Sequence, residues 1–253
     1  MRRNVFEIPG KKLPSLSIII PARNEEKYIE PIIRRLPRFP VKTEIIFVEG
    51  HSRDQTREEI EEVVRRCQEP AREIICLTQT GIGKADAVWR GFRRAIGDVL
   101  VIFDADMTVL PEDLTRFYDL AVNNPGALIN GSRLVYKMEE GAMRPLNYLG
   151  NKFFAMVLSL ITGQKLTDTL CGTKVLYKED FKTIEKTNLI EKLNDPFGDF
   201  TILLGAAMTG LKIIEIPIVY RRRVYGQTKI RRFKDGWKLL KIVFSFIIHG
   251  FKR

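Results

Sequence analysis

Histidine is nearly missing from this 253-residue chain, which has His51 and His249 and no others. That leaves little from which to build a histidine-dependent triad or a zinc hydrolase. Cysteine is scarce too. Cys67, Cys76 and Cys171 form an odd, widely spaced set without metal-ligand spacing, which reads as a reduced, cytoplasmic chain. Long apolar runs are lacking: none approaches the ~20 residues that cross a bilayer, and the best, Ile242 to Ile248, contains Ser245. A secretory leader is not expected, because Pro9, Gly10 and Pro14 interrupt the basic first 15 residues and no apolar core follows. The Gly81-Ile82-Gly83-Lys84 turn lacks the upstream glycine and the Ser/Thr of a Walker loop, and it is not GxGxxG.

What is present is an ordinary globular composition, 45% hydrophobic and 29% charged, which excludes a disordered chain, collagen and a coiled coil. The charge is uneven. Residues 217–253 hold eleven Lys/Arg against one acid, Asp235, and so carry +10 of the total +11. A basic tail on a neutral body implies an anionic partner reached by the tail: phosphate, nucleic acid or lipid headgroups. The tail shows little of the aromatic–basic interleaving of a single-strand platform, so nucleic acid is not the expected partner.

Apolar β-rich runs alternate with helical patterns from residue 16 to about residue 132. Strands are expected at Leu16–Ile20, Ile45–Val48, Glu73–Leu77, Val99–Phe103 and Ala127–Asn130. Helices are expected at Glu25–Leu36 with Asn24 as N-cap, at Asp54–Cys67, at Lys84–Ile96, and after Pro111. This alternation predicts an α/β, mostly parallel sheet covered by helices on both faces. Ligands bind outside the carboxyl ends of such strands, where Arg23–Glu26, Glu49–Asp54 and Asp104–Asp106 fall. The second half is less regular, with helices at Leu146–Ile161 and Phe200–Met208 and strands at Thr173–Tyr177 and Leu211–Pro217. From Trp237 to Ile248, apolar residues recur at helical spacing (Trp237, Leu240, Val243, Phe244, Ile247, Ile248), an amphipathic C-terminal helix flanked by Lys238 and Lys241.

The sharpest chemical signal is Asp104-Ala105-Asp106, where an apolar strand runs directly into two carboxylates one residue apart. Two close carboxylates repel unless a cation or protons lie between them. Hard oxygen ligands at this spacing suit Mg²⁺ or Mn²⁺ held jointly with a substrate's phosphates.

The segments SLSIIIPARNEE (15–26), EIIFVEGHSRDQT (44–56), GIGKADAVWRGF (81–92), GDVLVIFDADMT (97–108), INGSRLV (129–135), DTLCGTKVL (168–176), FGDFTILLGAAMTGLKIIEIPIVY (197–220) and YGQTKI (225–230) keep one order. Together they resemble glycosyltransferase family 2, in particular its dolichyl-phosphate mannose synthase-like and polyprenyl-phosphate glycosyltransferase-like members. The resemblance implies the A-type glycosyltransferase fold, a Rossmann-like sheet fused to an acceptor region, and a metal-dependent, inverting transfer from a GDP- or UDP-sugar to a lipid-linked acceptor. It implies a nucleotide pocket lined by Pro21, Ala22, Arg23 and Glu25, with Glu49 at the base or ribose where the family usually has aspartate. Lys84 is implied near the diphosphate, with Asp104, Ala105 and Asp106 as the metal and diphosphate motif. Arg133 is implied at an acceptor phosphate, and Lys229 on a loop closing over the donor. Asp199 matches the position of a catalytic base, becomes a positioning or metal-linked residue if the acceptor is a phosphate, or else caps the helix that follows, with Asp195 as the spare carboxylate.

Some positions depart from the family pattern. Asp86 replaces a small residue, and Thr108 stands where many relatives have Gln or Ser. An arginine expected just before Asn151 is missing, with Arg144 upstream as its substitute. The organisation read here is a catalytic unit over 1–232, with a nucleotide-binding half at about 15–132 and an acceptor half at about 133–232. A basic amphipathic helix over 233–253 follows, expected to bring the site to an anionic membrane from its inner face. The competing reading packs that helix on the core or against a second copy of the chain. Rival functions are a soluble transferase with a saccharide or small-molecule hydroxyl acceptor, and a catalytically silent membrane-surface module.

Overall fold

A computed structural model describes residues 12–226 and 232–249. Its frame is a seven-stranded sheet in the order β3-β2-β1-β4-β6-β5-β7. The strands are β1 (Leu16–Ala22), β2 (Thr43–Glu49), β3 (Arg72–Thr78), β4 (Val99–Ile102), β5 (Ala127–Ser132), β6 (Lys174–Tyr177) and β7 (Lys212–Pro217). β1 to β4 run parallel, and β5 pairs parallel with β7. β6 lies between β4 and β5, antiparallel to both. Six strands therefore share one direction, as the alternating pattern predicts for a mostly parallel sheet.

Nine α-helices are described: α1 (Ile29–Arg35), α2 (Thr56–Arg66), α3 (Lys84–Arg94), α4 (Leu114–Asn123), α5 (Pro145–Thr162), α6 (Lys178–Glu185), α7 (Leu189–Leu193), α8 (Asp199–Met208) and α9 (Arg232–His249). The strands read as continuous apolar runs because both faces are covered. Ile18, Ile20, Phe47 and Val101 pack with Ile29, Ile60 and Phe117 on one face. Ile19, Ile46, Leu100 and Ile102 pack with Val88, Phe92 and Phe200 on the other.

Three local expectations are corrected. Asn24 caps no helix: Glu26–Tyr28 form a 3-10 turn, and α1 starts at Ile29. Asn24 instead adopts φ +51°, accepts from Arg53 N at 2.8 Å and donates its own N–H to Ser52 Oγ at 3.0 Å. Asparagine tolerates that left-handed conformation, so its side chain ties two strand exits together rather than starting a helix. The cap of α8 is Asp195 rather than Asp199. Its Oδ2 accepts from Phe200 N at 3.0 Å and Thr201 N at 3.1 Å, satisfying first-turn donors.

The third correction concerns α9. Its core face is Leu239, Ile242, Val243 and Phe246, whereas Trp237, Leu240, Phe244, Ile247 and Ile248 are exposed. The helix packs against α5 and α7, so the core-packing reading holds for one face. An apolar stripe in the sequence cannot say which side meets the core when the helix is apolar on two sides.

Candidate active site

β6 builds the site by its direction. A strand antiparallel to its neighbours begins where they end, and Lys174 at its start pairs in register with Ile102 at the end of β4. The segment 168–174 is thereby delivered to the carboxyl edge, beside Asp104. A Cβ on Gly172 would collide with the Asp104 carboxylate and the Lys84 ammonium, so this backbone lies flat against both.

Lys84 opens α3, after a Gly81–Gly83 turn closed by Asp86, whose Oδ2 accepts from Gly81 N at 2.8 Å. Gly83 has φ +97° and lies so close to Pro196 O that a Cβ would be 2.8 Å from it. Only glycine suits this point on both counts. Lys84 Nζ reaches Asp104 Oδ1 at 2.6 Å. Burial would lower the Lys84 ammonium, but the charges of Asp104 and Asp199 override it and hold the group well above the ordinary lysine range. Asp106 is fixed from the other side: Thr108 donates to its Oδ1 from Oγ1 at 2.9 Å and from N at 3.1 Å. Ala105 between them is buried.

Asp199, the first residue of α8, accepts from Lys174 Nζ at 2.7 Å. Lys174 is fully buried, and its ammonium also donates to Cys171 O. Releasing Asp199 from capping duty, which Asp195 performs, leaves it to form this ion pair. Cys171 is buried, as expected of a small core residue, and burial pushes its thiol up to about 12.

The residues expected to form a nucleotide pocket line the same edge. Pro21 and Ala22 end β1, Glu49 ends β2 opposite Ala22 in register, and Glu25 is buried just beyond. Glu49 Oε1 accepts from Ser52 N at 2.6 Å, which holds the β2 exit loop. Arg23 and His51 are exposed. Arg223, not singled out in the sequence, contacts both Glu25 and Asp106.

Arg133 follows β5 and is held from two sides. Its Nε and Nη2 reach Asp168 at 2.7 and 2.9 Å, and its guanidinium lies 4.9 Å from the Tyr220 ring centre. Asn151 Nδ2 donates to Asp168 at 2.6 Å. Burial acts to raise Asp168, yet the Arg133 charge and these hydrogen bonds prevail and hold it at about 2. Arg144 is exposed at the start of α5, not in this cluster. Between residues 134–139 and the start of α5 lies an open cavity of about 600 Å³ lined by Leu134, Tyr136, Met138, Met143, Tyr148 and Leu149, among others. Lys229 lies outside the described residues.

Among the described residues there is no cluster of three or more Asp, Glu, His or Cys that could encase a divalent ion. Asp104 and Asp106 do offer hard carboxylate oxygens, each already facing a cationic side chain. That chemistry fits Mg²⁺ or Mn²⁺ whose shell is completed by phosphate oxygens and water.

Known proteins resemble this chain in sequence and in fold. The chain is 30% identical over 227 residues to a dolichyl-phosphate hexose transferase of Haloferax volcanii, covering 87% of this chain and 89% of that protein. It is 28% identical over 243 residues to a dolichol-phosphate mannosyltransferase of Pyrococcus furiosus, covering 94% of this chain and 63% of that one. It also spans only 53% of a low-salt glycan biosynthesis hexosyltransferase of H. volcanii, at 25% identity over 91% of this chain. In fold it resembles mannosyl-3-phosphoglycerate synthase from Rubrobacter xylanophilus, with TM-score 0.67 and 17% identity over 94% of this chain and 75% of that one. A glucosyl-3-phosphoglycerate synthase from Mycobacterium tuberculosis, solved with Mn²⁺, UDP and its glucosyl product, gives TM-score 0.62 and 17% identity over 96% and 85% of the two chains. Residues 17–184 match the profile described as Glycosyl transferase family 2, a stretch running from β1 through α6. An α/β sheet with its acids at the strand exits, and a match over most of its length, leave one assignment: the chain belongs to glycosyl transferase family 2.

Proposed function

We propose that this enzyme transfers a sugar from a nucleoside diphosphate to the phosphate of a polyprenyl-type lipid, by one inverting displacement assisted by Mg²⁺ or Mn²⁺. The relatives named for dolichol-phosphate and dolichyl-phosphate transfer support the acceptor class, and the Mn²⁺ and UDP of the structural neighbour support the donor class. The observation that carries the reading is the buried Lys174–Asp199 ion pair. A hydroxyl acceptor needs a base to take its proton. Asp199, clamped by an ammonium that is fully buried, is suited to orient and balance charge rather than to accept that proton. A phosphate acceptor is already ionised and asks for no base.

On this reading Asp104 and Asp106 would hold the divalent ion, which when bound supplies charge neutralisation for the departing diphosphate. Lys84, placed between Asp104 and Asp199 in charge, orients the diphosphate from the N-terminus of α3, where backbone N–H groups also favour an anion. Glu49, Glu25 and the end of β1 receive the nucleoside. Arg133, rigid between Asp168 and Tyr220, turns its remaining N–H donors toward the acceptor phosphate. The cavity between residues 134–139 and the start of α5 receives the first isoprene units against Leu134, Met138, Met143 and Leu149, with Lys137 and Glu139 also on its wall. The halves at about 15–132 and 133–232 thus divide donor from acceptor.

With the full chain, Mn²⁺ and a panel of GDP- and UDP-sugars, one donor should release nucleoside diphosphate when a short polyprenyl phosphate is added. The release should be lost in Asp106→Asn. Equal release with the corresponding polyprenol or a free saccharide would defeat the phosphate-acceptor assignment.

The acceptor class requires a bilayer approach. Among the described residues no helix is long and apolar enough to cross a membrane. Two exposed apolar stripes are available on helices that pack together: Leu146, Leu149, Phe153, Met156 and Leu160 on α5, and Trp237, Leu240, Phe244, Ile247 and Ile248 on α9. Lys241 sits 5.8 Å from the Trp237 ring centre, a pairing of cation and aromatic that suits an anionic interface. We propose that these helices rest on the inner membrane face, each nearby basic residue contributing about 1 kcal/mol on an anionic surface. Because α9 also packs on the core, deletion would confuse anchoring with stability, and a surface variant is the better probe. Trp237→Ser/Phe244→Ser should pellet with phosphatidylserine vesicles several-fold less than wild type at unchanged melting temperature. Equal sedimentation would remove α9 from that role.

A further inference from the structure

Arg221 and Arg222 are the first basic residues after β7, and neither belongs to the site described above. They line an opening of about 330 Å³ between the segment 221–225, the start of α1 and the loop after Asp106. Lys27 and Arg35 reach it from the α1 side, and Asp106 and Glu139 supply its acids.

This opening holds more positive charge than its neighbours take up. Arg35 is committed to Glu112 through bonds of 2.8 and 2.9 Å. Glu112 and Asp113 are the acids whose charges reach Arg221, and Asp113 faces Arg116 at 3.5 Å. Asp106 is held by Thr108 and Arg223. Glu139 accepts from the backbone N of Arg222 at 2.7 Å, which does not engage the guanidinium. Among the described residues the side chains of Lys27, Arg221 and Arg222 form no ion pair. Lys27 stands 5.2 Å from the Tyr225 ring centre, a contact that leaves its charge unneutralised.

The walls are set before any ligand arrives. Arg221 N donates to Thr108 O at 2.9 Å, and Tyr225 N donates to the Tyr28 hydroxyl at 2.7 Å, tying the segment to the sheet and to the turn before α1. Met107, also on the wall, is kept at φ +52°, a conformation that costs a side-chain residue about 1–3 kcal/mol and persists where its surroundings impose it. Two guanidiniums and an ammonium without counter-ions suit a doubly charged group with several acceptor oxygens. Guanidinium forks pair two-to-two with phosphate, whereas a single carboxylate would neutralise one cation of the three. The volume lies at the lower end of small-molecule pockets, enough for a phosphate with a short organic group. Glu139 stands on the wall of this opening and of the cavity beside the start of α5, so the two adjoin.

We propose that Lys27, Arg221 and Arg222 form a second anion site, apart from Lys84 and Arg133, that takes a phosphate monoester, either free or as the headgroup of a phospholipid. The site needs neither the metal nor the acceptor reading. A headgroup seated there would hold the adjoining cavity against the bilayer.

Glycerol 3-phosphate, titrated calorimetrically into the full chain, is the soluble probe. Arg221 and Arg222 are exposed, so Arg221→Gln/Arg222→Gln should melt with wild type and bind the probe at least about tenfold more weakly. Lys84→Met should keep that binding, which separates this opening from the start of α3. Phosphatidylcholine vesicles carrying phosphatidic acid, or phosphatidylserine at equal surface charge, distinguish the two sources. Preferential sedimentation with phosphatidic acid, lost in the double variant and displaced by glycerol 3-phosphate, assigns the site to a headgroup. Probe binding that depends on the two arginines, without preference between vesicles, assigns it to a free phosphate ester. Probe binding unchanged in the double variant, together with equal sedimentation on both lipids, overturns the site.

Discussion

Gly172→Ala should lower sugar transfer at least about 100-fold while the protein stays folded. The backbone at Gly172 is outside the positive-φ conformations, so alanine meets no conformational penalty there. What it meets is the site: the new methyl would fall inside van der Waals contact of Asp104 Oδ2 and Lys84 Nζ, and only 2.7 Å from Asp104 Cγ. The lysine end can swing aside, but the short aspartate cannot without leaving its place beside Asp106. A displacement of about 1 Å in a positioned group commonly costs about 100-fold. Nucleoside diphosphate release from the productive GDP- or UDP-sugar, measured beside a melting curve, decides the matter. Transfer within about threefold of wild type would show that Asp104 tolerates displacement and does not fix the reacting diphosphate.

Asp168→Asn should cost stability rather than chemistry alone, by about 3–5 kcal/mol at neutral pH. Asp168 is fully buried and supplies the countercharge of Arg133, whose side chain is only 12% exposed. Removing the carboxylate strands a guanidinium that cannot reach water freely. For a chain of this size that corresponds to a fall in melting temperature of about 10 °C. The pH dependence has a definite sign. Asp168 is held at about 2, below its unfolded range of about 4, so its contribution is fully present above pH 4. It is lost as pH falls from there toward 2, about 2–3 kcal/mol in all. The gap between wild type and Asp168→Asn should therefore narrow on acidification. Arg133→Met/Asp168→Leu, which removes both charges, should recover much of the loss. An Asp168→Asn protein that melts within 2 °C of wild type at pH 7 would mean the ion pair is well hydrated and Arg133 free to move.

The acids and the lysine at the sheet's carboxyl edge were legible because they lie in short segments at strand exits. Asp104 and Asp106 follow β4 directly, Glu49 ends β2, and Lys84 begins α3, so local pattern and position on the sheet agree. Lys174, Asp168 and Arg223 were harder to see. Their partners are 25, 35 and 198 residues away, in Asp199, Arg133 and Glu25, and no local periodicity encodes such pairings. The segment DTLCGTKVL stands out in the sequence, yet the pairing of its lysine with Asp199 appears only when β6 is known to be reversed. The choice between Asp195 and Asp199 as cap was equally hidden, since both carboxylates lie at the opening of the same helix and only backbone geometry separates them. On α9 the sequence shows two apolar faces of similar strength, and the more conspicuous one, with Trp237 and Phe244, is the one left outside.

The reversed strand also divides what can vary from what cannot. Residues 168–174 are stitched into the ladder at Gly131 N to Thr173 O and at Ile102 opposite Lys174, so a single insertion there would shift the lysine off its aspartate. Residues 134–144, by contrast, leave the sheet after β5 and return only at α5, with a wide opening between. Lengthening or recolouring that excursion changes which molecule is admitted without touching the charges beneath it. Diversification of acceptors should accordingly concentrate in one loop, over a floor that stays the same.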